Sequence, residues 1–183
     1  MNLTEQEILQ QLKSGNRAAP KALYNQYVGS LAALCSRYVA DPDSVKDVLQ
    51  ESFIKIFTQI DTFAYRGEGS LRAWMTRIVV NHSINFLKAN GRLDTVNDDA
   101  AMDRIADEEQ EPDADGIPPD ALQAMIKSLP DGYRAVLNLY VFEGKSHKEI
   151  ATLLNIKATS SASQLFHAKA LMARKIKEYK RTH

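Results

Sequence analysis

Apolar side chains recur at intervals of three and four residues along most of this chain, which is the spacing of one face of an α-helix. The first such stripe covers residues 8–12. Ahead of it, Thr4 and Glu7 have the types and spacing of a capping box, and Gly15 follows as a residue that ends helices. The pattern therefore predicts a short first helix.

Three longer helices are predicted after it. The second covers residues 18–39. Asp41 and Pro42 then have the types that cap a third helix and occupy its first turn, and its apolar positions continue to about Ile60. A glycine-containing loop leads to a fourth helix over residues 70–89. No alternation typical of strands appears, so the chain is predicted to be all-α.

Near the C-terminus the pattern predicts a helix-turn-helix. Ser146 and Glu149 form a second capping box, and Asn155 suits the left-handed conformation that ends many helices. A further helix, capped by Thr159 or Ser160, has one apolar face made of Leu165, Ala168, Met172, Ile176 and Tyr179. Such a pair of helices favours DNA binding, and a helical hairpin with a solvated basic face is the alternative.

Composition narrows the class of protein. The chain has 183 residues, 44% of them hydrophobic, which is enough for one or two domains with cores. No apolar run is long enough to span a bilayer, and the polar, acidic start is unlike a secretory signal, so a cytoplasmic protein without membrane insertion is expected. Cys35 is the single cysteine, which excludes an internal disulfide.

Charge divides the chain into three parts. Residues 1–93 have a net charge of +3, residues 94–120 of −10 and residues 121–183 of +7. The acidic part contains Pro112, Pro118 and Pro119 and no apolar period, so it is predicted to be a mostly extended or disordered linker. Two helical domains, 1–93 and 121–183, joined by an acidic linker at 94–120 are therefore expected, and their basic character favours nucleic acid.

Polar and cationic groups also follow one side of the fourth predicted helix. They are Arg72, Arg77, Asn81, Asn85 and Lys88. Tyr65 and Arg66 precede them in the loop, and aromatic with cationic side chains suit unstacked single-stranded bases. A solvated helix face is the alternative interpretation.

With these segments in place, the chain resembles the extracytoplasmic-function sigma factors of the sigma-70 family. Residues 43–57, DSVKDVLQESFIKIF, look like the family's polymerase-binding helix, and residues 71–81, LRAWMTRIVVN, like its promoter-melting helix. Residues 129–137, LPDGYRAVL, with the helix-turn-helix look like its second conserved domain. The resemblance covers nearly the whole chain.

The resemblance implies roles for particular residues. Asp47, Gln50 and Glu51 with Phe53 would dock on the clamp helices of core RNA polymerase. The loop at Tyr65, Arg66 and Gly67 would capture a flipped base of the minus-ten element; the residues that would line the pocket or support melting are Trp74, Arg77, Asn81, Asn85 and Lys88.

At the minus-thirty-five element the resemblance implies major-groove contacts. The positions are Ser160, Ser163, Gln164, Phe166 and His167. Thr159 and Ala162 differ from the glycine and the basic residue common in the family, so the family's base preference is not carried over. Promoter DNA and core polymerase are the implied partners, with an anti-sigma protein as regulator, and the acidic linker would mimic phosphate in a positive channel of the polymerase.

Two other functions compete with a sigma factor. A free-standing helix-turn-helix regulator would bind duplex DNA without polymerase and would usually dimerise. A small helical enzyme would need a catalytic or metal motif, but His82, His147, His167 and His183 lack metal-ligand spacing. We therefore expect no catalytic residues, no metal, no cofactor and no small-molecule substrate.

Overall fold

The computed structural model describes residues 3–93 and 112–182, and within these ranges the chain is helical with no strand. Two compact units are formed: Met1–Ser36 with Asp41–Ser83, and Arg37–Ala40 with Ile84–His183. The linker prediction for 94–111 lies outside the described residues. The domain boundaries proposed from charge remain a prediction.

The first unit contains α1 (Glu5–Lys13), α2 (Ala19–Tyr38) as far as Ser36, α3 (Pro42–Gln59) and α4 (Ser70–Ala89) as far as Ser83. A 3₁₀ turn, Ile60–Thr62, follows α3. The buried side chains of the first unit follow the predicted apolar stripes. They include Ile8, Leu23, Leu31, Ile56, Leu71, Met75 and Val79.

Local capping residues set the helix ends of this unit as predicted. The Thr4 hydroxyl accepts the Glu7 N–H while the Glu7 carboxylate accepts the Thr4 N–H, which is a complete capping box. Asp41 caps α3 through the Ser44 N–H, with Pro42 in the first turn. Since these signals depend only on neighbours in sequence, they could be identified before any fold was known.

The second unit contains α5 (Pro119–Lys127), α6 (Asp131–Leu137), a π-helical turn (Asn138–Phe142), α7 (His147–Leu154) and α8 (Ala158–Thr182). Helix α8 packs against α5, α6 and α7. Its predicted inner face is confirmed at Leu165, Ala168, Met172 and Ile176, which are buried, whereas Tyr179 is half-buried.

Two boundaries in this unit differ from the sequence predictions. Helix α5 begins at Pro119, inside the stretch assigned to the linker, because a proline loses no hydrogen bond in a first helical turn. Helix α8 begins at Ala158, ahead of the predicted caps Thr159 and Ser160. Asn155, in the left-handed conformation at φ 56°, reverses the chain so tightly that the next helix starts sooner.

A buried arginine ties the second unit together. Arg134 is 1% exposed, and its guanidinium donates to the main-chain oxygens of Tyr38, Lys127 and Leu129 and to the Asp131 carboxylate. Burial lowers the pKa of Arg134 below its ordinary value, and the negative charge of Asp131 opposes that shift. Sequence analysis did not anticipate an arginine in this core.

Candidate nucleic-acid interfaces

A cleft of about 400 Å³ opens beside the start of α4. Its walls are Thr62, Phe63, Ala64, Arg66, Ser70, Ala73, Trp74 and Arg77, and we call it the α4 cleft. The rings of Phe63 and Trp74 lie 5.1 Å apart at 38°, which gives the cleft an aromatic wall. Two arginines and an aromatic wall can hold an unstacked base together with its phosphate.

The loop over residues 63–69 depends on local hydrogen bonds and on glycine. The Ser70 hydroxyl accepts the Arg66 N–H at 3.2 Å and donates to the Gly67 carbonyl at 2.6 Å. Gly67 and Gly69 have φ of +112° and +90°, which side chains rarely tolerate. The loop therefore turns sharply into α4 and brings Arg66 to the cleft.

Tyr65 is half-buried in this loop and does not line the cleft. Its hydroxyl donates to the Glu68 carboxylate at 3.3 Å. Loss of solvation, followed by the negative charge of Glu68, raises the pKa of Tyr65, so the phenol stays protonated at neutral pH. Tyr65 therefore presents a neutral ring and a hydroxyl that is already hydrogen-bonded.

Of the predicted minus-ten residues, Arg66, Trp74 and Arg77 line the α4 cleft. Asn81, Asn85 and Lys88 are exposed and follow Arg77 at helical intervals along α4, but they do not line the cleft. Sequence analysis passed over Phe63, whose aromatic type and place next to the glycine loop were the available signal.

A second surface lies on α3. Asp47, Gln50 and Glu51 are exposed as predicted, and Ile54, 57% exposed, lies at helical spacing from all three; together they are the α3 face. Phe53 is only 5% exposed, with its ring 4.7 Å from that of Tyr24. Phe53 therefore packs inside the first unit and is not part of the exposed face. The expectation that its side chain docks directly on polymerase is corrected, because that side chain is buried.

The third surface is the N-terminal half of α8. Ser163 and Phe166 are exposed, whereas Ser160, Gln164 and His167 are half-buried. The His167 ring stacks on Tyr133 with centroids 5.9 Å apart, and its Nδ1 atom is buried without a hydrogen-bond partner among the described residues. His167 is thus held partly by the core of the second unit, and only its outer edge can reach a ligand.

The two helices of the predicted helix-turn-helix, α7 and α8, are both formed. A complete capping box between Ser146 and Glu149 starts α7, and Asn155 ends it. Exposed cations continue along the later turns of α8 at Arg174, Lys177, Lys180 and Arg181. Lys180 is paired with Asp113 at 2.9 Å.

Comparison with known proteins identifies the family. Residues 23–93 match Sigma-70 region 2, and residues 120–172 match Sigma-70 region 4. The ECF RNA polymerase sigma-E factor of Haemophilus influenzae is 30% identical over 95% of this chain and 96% of its own length. The chain belongs to the extracytoplasmic-function sigma factors. The sigma-E factor of Salmonella typhimurium is 31% identical, covering 95% of each chain.

A solved structure agrees on the fold of this sigma factor. RpoE of Bartonella quintana, crystallised with the anti-sigma factor NepR, gives a TM-score of 0.50 at 18% identity, covering 86% of this chain and 96% of that chain. At this identity the likeness concerns the fold alone.

The family assignment confirms the function predicted from the sequence. The protein is a sigma factor, which joins core RNA polymerase, recognises promoter DNA and assists strand opening during initiation. A free-standing regulator is set aside because sigma factors act with core RNA polymerase. The family is one of non-catalytic initiation factors, which argues against a small enzyme.

Residues 3–93 and 112–182 of this sigma factor lack two kinds of feature. No helix there has the length and apolar character needed to cross a bilayer. Likewise, no group of three or more His, Cys, Asp or Glu side chains in these ranges is arranged to hold a metal ion.

Proposed function

We propose that the α4 cleft holds one unpaired base of the minus-ten element and so stabilises the opened promoter. The observation that carries this proposal is that the Phe63 and Trp74 rings, in contact with each other, line the same cleft as Arg66 and Arg77. Flipping a base costs a few kcal/mol, and stacking on aromatic side chains returns about 1–3 kcal/mol per base. Arginine contacts to the flanking phosphates add the remaining stabilisation.

The other predicted minus-ten residues take supporting roles in this proposal. Tyr65 and Gly67 shape the loop through which the base enters. Asn81, Asn85 and Lys88 extend the polar side of α4, where a single strand leaving the cleft would run. Their positions at helical spacing suit a strand that follows the helix axis.

For the minus-thirty-five element we propose major-groove contacts from the start of α8. Ser163 and Phe166 are the most exposed of the predicted residues, and Gln164 can reach adenine with two hydrogen bonds. Ser160 lies in the first turn, where free main-chain amides attract phosphate, and the outer edge of His167 borders the same surface.

For polymerase binding we propose the α3 face, with the clamp helices of the large subunit as partner. Two carboxylates suit a basic partner, and Ile54 offers an apolar contact among them. We also propose an anti-sigma protein as regulator, by analogy with the RpoE and NepR complex. The domains 1–93 and 121–183 and the acidic linker at 94–120 would act together on one promoter in the bacterial cytoplasm.

The test is transcription by purified core polymerase on two templates, a duplex promoter and the same promoter with a pre-opened bubble. Trp74→Ala and Arg77→Ala should reduce open complexes on the duplex roughly tenfold or more, given the energy of base stacking. The bubble should restore most of that loss, because strand opening is already done.

Arg17→Ala is the matched control, since Arg17 is an exposed cation that does not line the cleft. It should behave as wild type on both templates. An equal loss on duplex and bubble would contradict a role in strand opening.

In addition, the chain should retain polymerase subunits when it is immobilised and exposed to bacterial lysate. Failure to retain them would contradict the proposed α3 face.

A further inference from the structure

The carboxylate of Glu5 closes the N-terminal end of α4, although 66 residues separate it from the first of its partners. Glu5 Oε2 accepts the Leu71 N–H and Glu5 Oε1 accepts the Arg72 N–H, both at 2.9 Å. The Glu5 residue is 2% exposed. Residues 23–93 match the family's region 2, so this side chain comes from outside the matched range.

Such a contact has a clear physical effect. The first amides of a helix have no partner within the helix and carry its positive partial charge, so a carboxylate placed there both accepts their hydrogen bonds and offsets their charge. Most helices obtain this from a residue directly ahead of the first turn. Helix α4 obtains it from α1, so the direction in which α4 begins depends on where α1 lies.

The same contact reaches the loop beside the α4 cleft. The Glu5 N–H donates to Glu68 Oε1 at 3.5 Å, while the Tyr65 hydroxyl donates to Glu68 Oε2 at 3.3 Å. The Tyr27 hydroxyl also lies 3.5 Å from Glu5 Oε1, which fixes the carboxylate from α2. Helix α1 therefore contacts both the first turn of α4 and the loop that precedes it.

These contacts bear directly on the cleft. Ser70 and Ala73 line it from the first turn of α4, and Trp74 follows immediately. Losing the Glu5 contacts would leave the buried Leu71 amide and the part-buried Arg72 amide without these partners and let the first turn of α4 fray. The aromatic wall would then no longer be held at one separation from Arg66.

We propose that Glu5 is a positioning residue for the α4 cleft, acting through the first turn of α4 and through Glu68. This inference rests on the proposed function of the cleft as a base-binding site. Glu5 itself contacts no DNA, because it is buried beneath the turn that it holds.

Trp74 is the only tryptophan of the chain, so its fluorescence reports on the cleft without any label. The experiment titrates the full-length protein with short single-stranded homopolymers of each base and with an abasic oligonucleotide of equal length. The ratio of the abasic Kd to the best homopolymer Kd measures the base-dependent part of binding. Phosphate contacts contribute equally to both values and cancel.

Glu5→Ala should lower this ratio roughly tenfold, which corresponds to losing the stacking of one base, and should shift the emission maximum of free Trp74. Glu5→Gln keeps one carbonyl oxygen to accept an amide, so it should keep more of the ratio. Binding to the abasic strand should remain close to wild type in both variants, since no cation is removed.

Glu7→Ala is the matched control. It removes the acid of the capping box of α1 but touches neither Leu71 nor Arg72, so the ratio should stay at the wild-type value. A loss equal to that of Glu5→Ala would show that only the stability of α1 matters and would overturn the proposal. If circular dichroism shows Glu5→Ala unfolded, Glu5→Gln decides by the same criterion.

A folded Glu5 variant with the wild-type ratio and the wild-type Trp74 emission would also overturn it. The proposed function fails separately: wild-type protein with a ratio of one would contradict base binding by the cleft. In that case, the emission maximum of Trp74 in the DNA-free Glu5 variants, compared with that of wild type, still shows whether Glu5 positions α4.

Discussion

The Nδ1 atom of His147 lies 3.0 Å from the hydroxyl oxygen of Ser161, which joins the first turn of α7 to the first turns of α8. Ser161 is fully buried, and the His147 ring also stacks on Tyr140 with centroids 4.9 Å apart. This hydrogen bond fixes the crossing of the two helices that form the DNA-binding motif.

Ser161→Ala should therefore lower the free energy of unfolding by about 1–3 kcal/mol, because a partly buried ring nitrogen loses its partner. Urea denaturation followed by circular dichroism measures this. Ser163→Ala, at an exposed position two residues later, serves as the control and should unfold like wild type. Equal stability of the two variants would mean that the 3.0 Å contact contributes nothing.

Charge reversal on the α3 face should separate binding from folding. Asp47→Lys with Glu51→Lys is expected to weaken binding to core polymerase at least roughly tenfold, since like charges across an interface cost several kcal/mol. The helix should remain intact because both side chains are exposed. A binding titration against purified core enzyme, with melting curves recorded in parallel, measures both effects.

The exposed Asp61→Lys variant controls for net charge on the same unit, since Asp61 lies in the 3₁₀ turn beyond α3. It should bind polymerase like wild type. If the double reversal binds with unchanged affinity, α3 does not form the polymerase contact.

Gln164→Ala should relax sequence preference at the minus-thirty-five element. Loss of a bidentate contact to adenine removes about 1–3 kcal/mol of discrimination at one base pair. Competition binding with a library of duplexes randomised at that element measures the change. Arg174→Ala is the comparison, because an exposed cation on α8 should weaken all duplexes alike. An unaltered preference in Gln164→Ala would show that this side chain reads no base.

Acid should weaken the two capping boxes. Main-chain hydrogen bonds from Thr4 and Ser146, ahead of other causes, lower the pKa values of Glu7 and Glu149 below their ordinary value of 4.5. A carboxyl group whose pKa falls on folding stabilises the fold above its unfolded pKa. That stabilisation is lost as the pH drops from 4.5 through the folded pKa.

Glu149→Gln keeps the hydrogen bond of the box without the charge. Its unfolding free energy should therefore fall less steeply than that of wild type below pH 4.5, which a series of urea titrations at different pH values measures. Parallel curves for the two proteins would show that Glu149 does not contribute to acid sensitivity.

The features that sequence analysis identified are those fixed by residues close together in the chain. The capping boxes at Thr4 and Ser146 and the left-handed Asn155 all depend on neighbours within a few positions. The apolar stripes predicted from the sequence are also the buried faces of the helices, because burial follows the helical period. These signals sufficed for the fold class. The roles of Arg66, Trp74 and Arg77, which the structure brings to one cleft, came from the family resemblance and not from helix caps or apolar stripes.

The features that sequence analysis missed depend on contacts between distant residues. Glu5 has the spacing of an ordinary first-turn acid, and only the folded chain brings it to Leu71. Arginine is a residue type usually found at the surface, yet the guanidinium of Arg134 donates hydrogen bonds to carbonyls at the ends of two helices. Phe53 lay on the boundary between faces of α3, where the helical period alone does not decide which side is buried.

If the α4 cleft binds a strand as proposed, Glu5 would also determine which charges of α4 that strand meets. Because its carboxylate already occupies the amides of Leu71 and Arg72, the positive end of that helix is neutralised from inside, and a strand encounters the side-chain charges of the cleft alone. No acidic residue occupies the first turn of α8. Under the proposed function, counterion release at the cleft would be set by the number of its arginines, whereas at α8 the helix terminus itself would contribute to displacing salt.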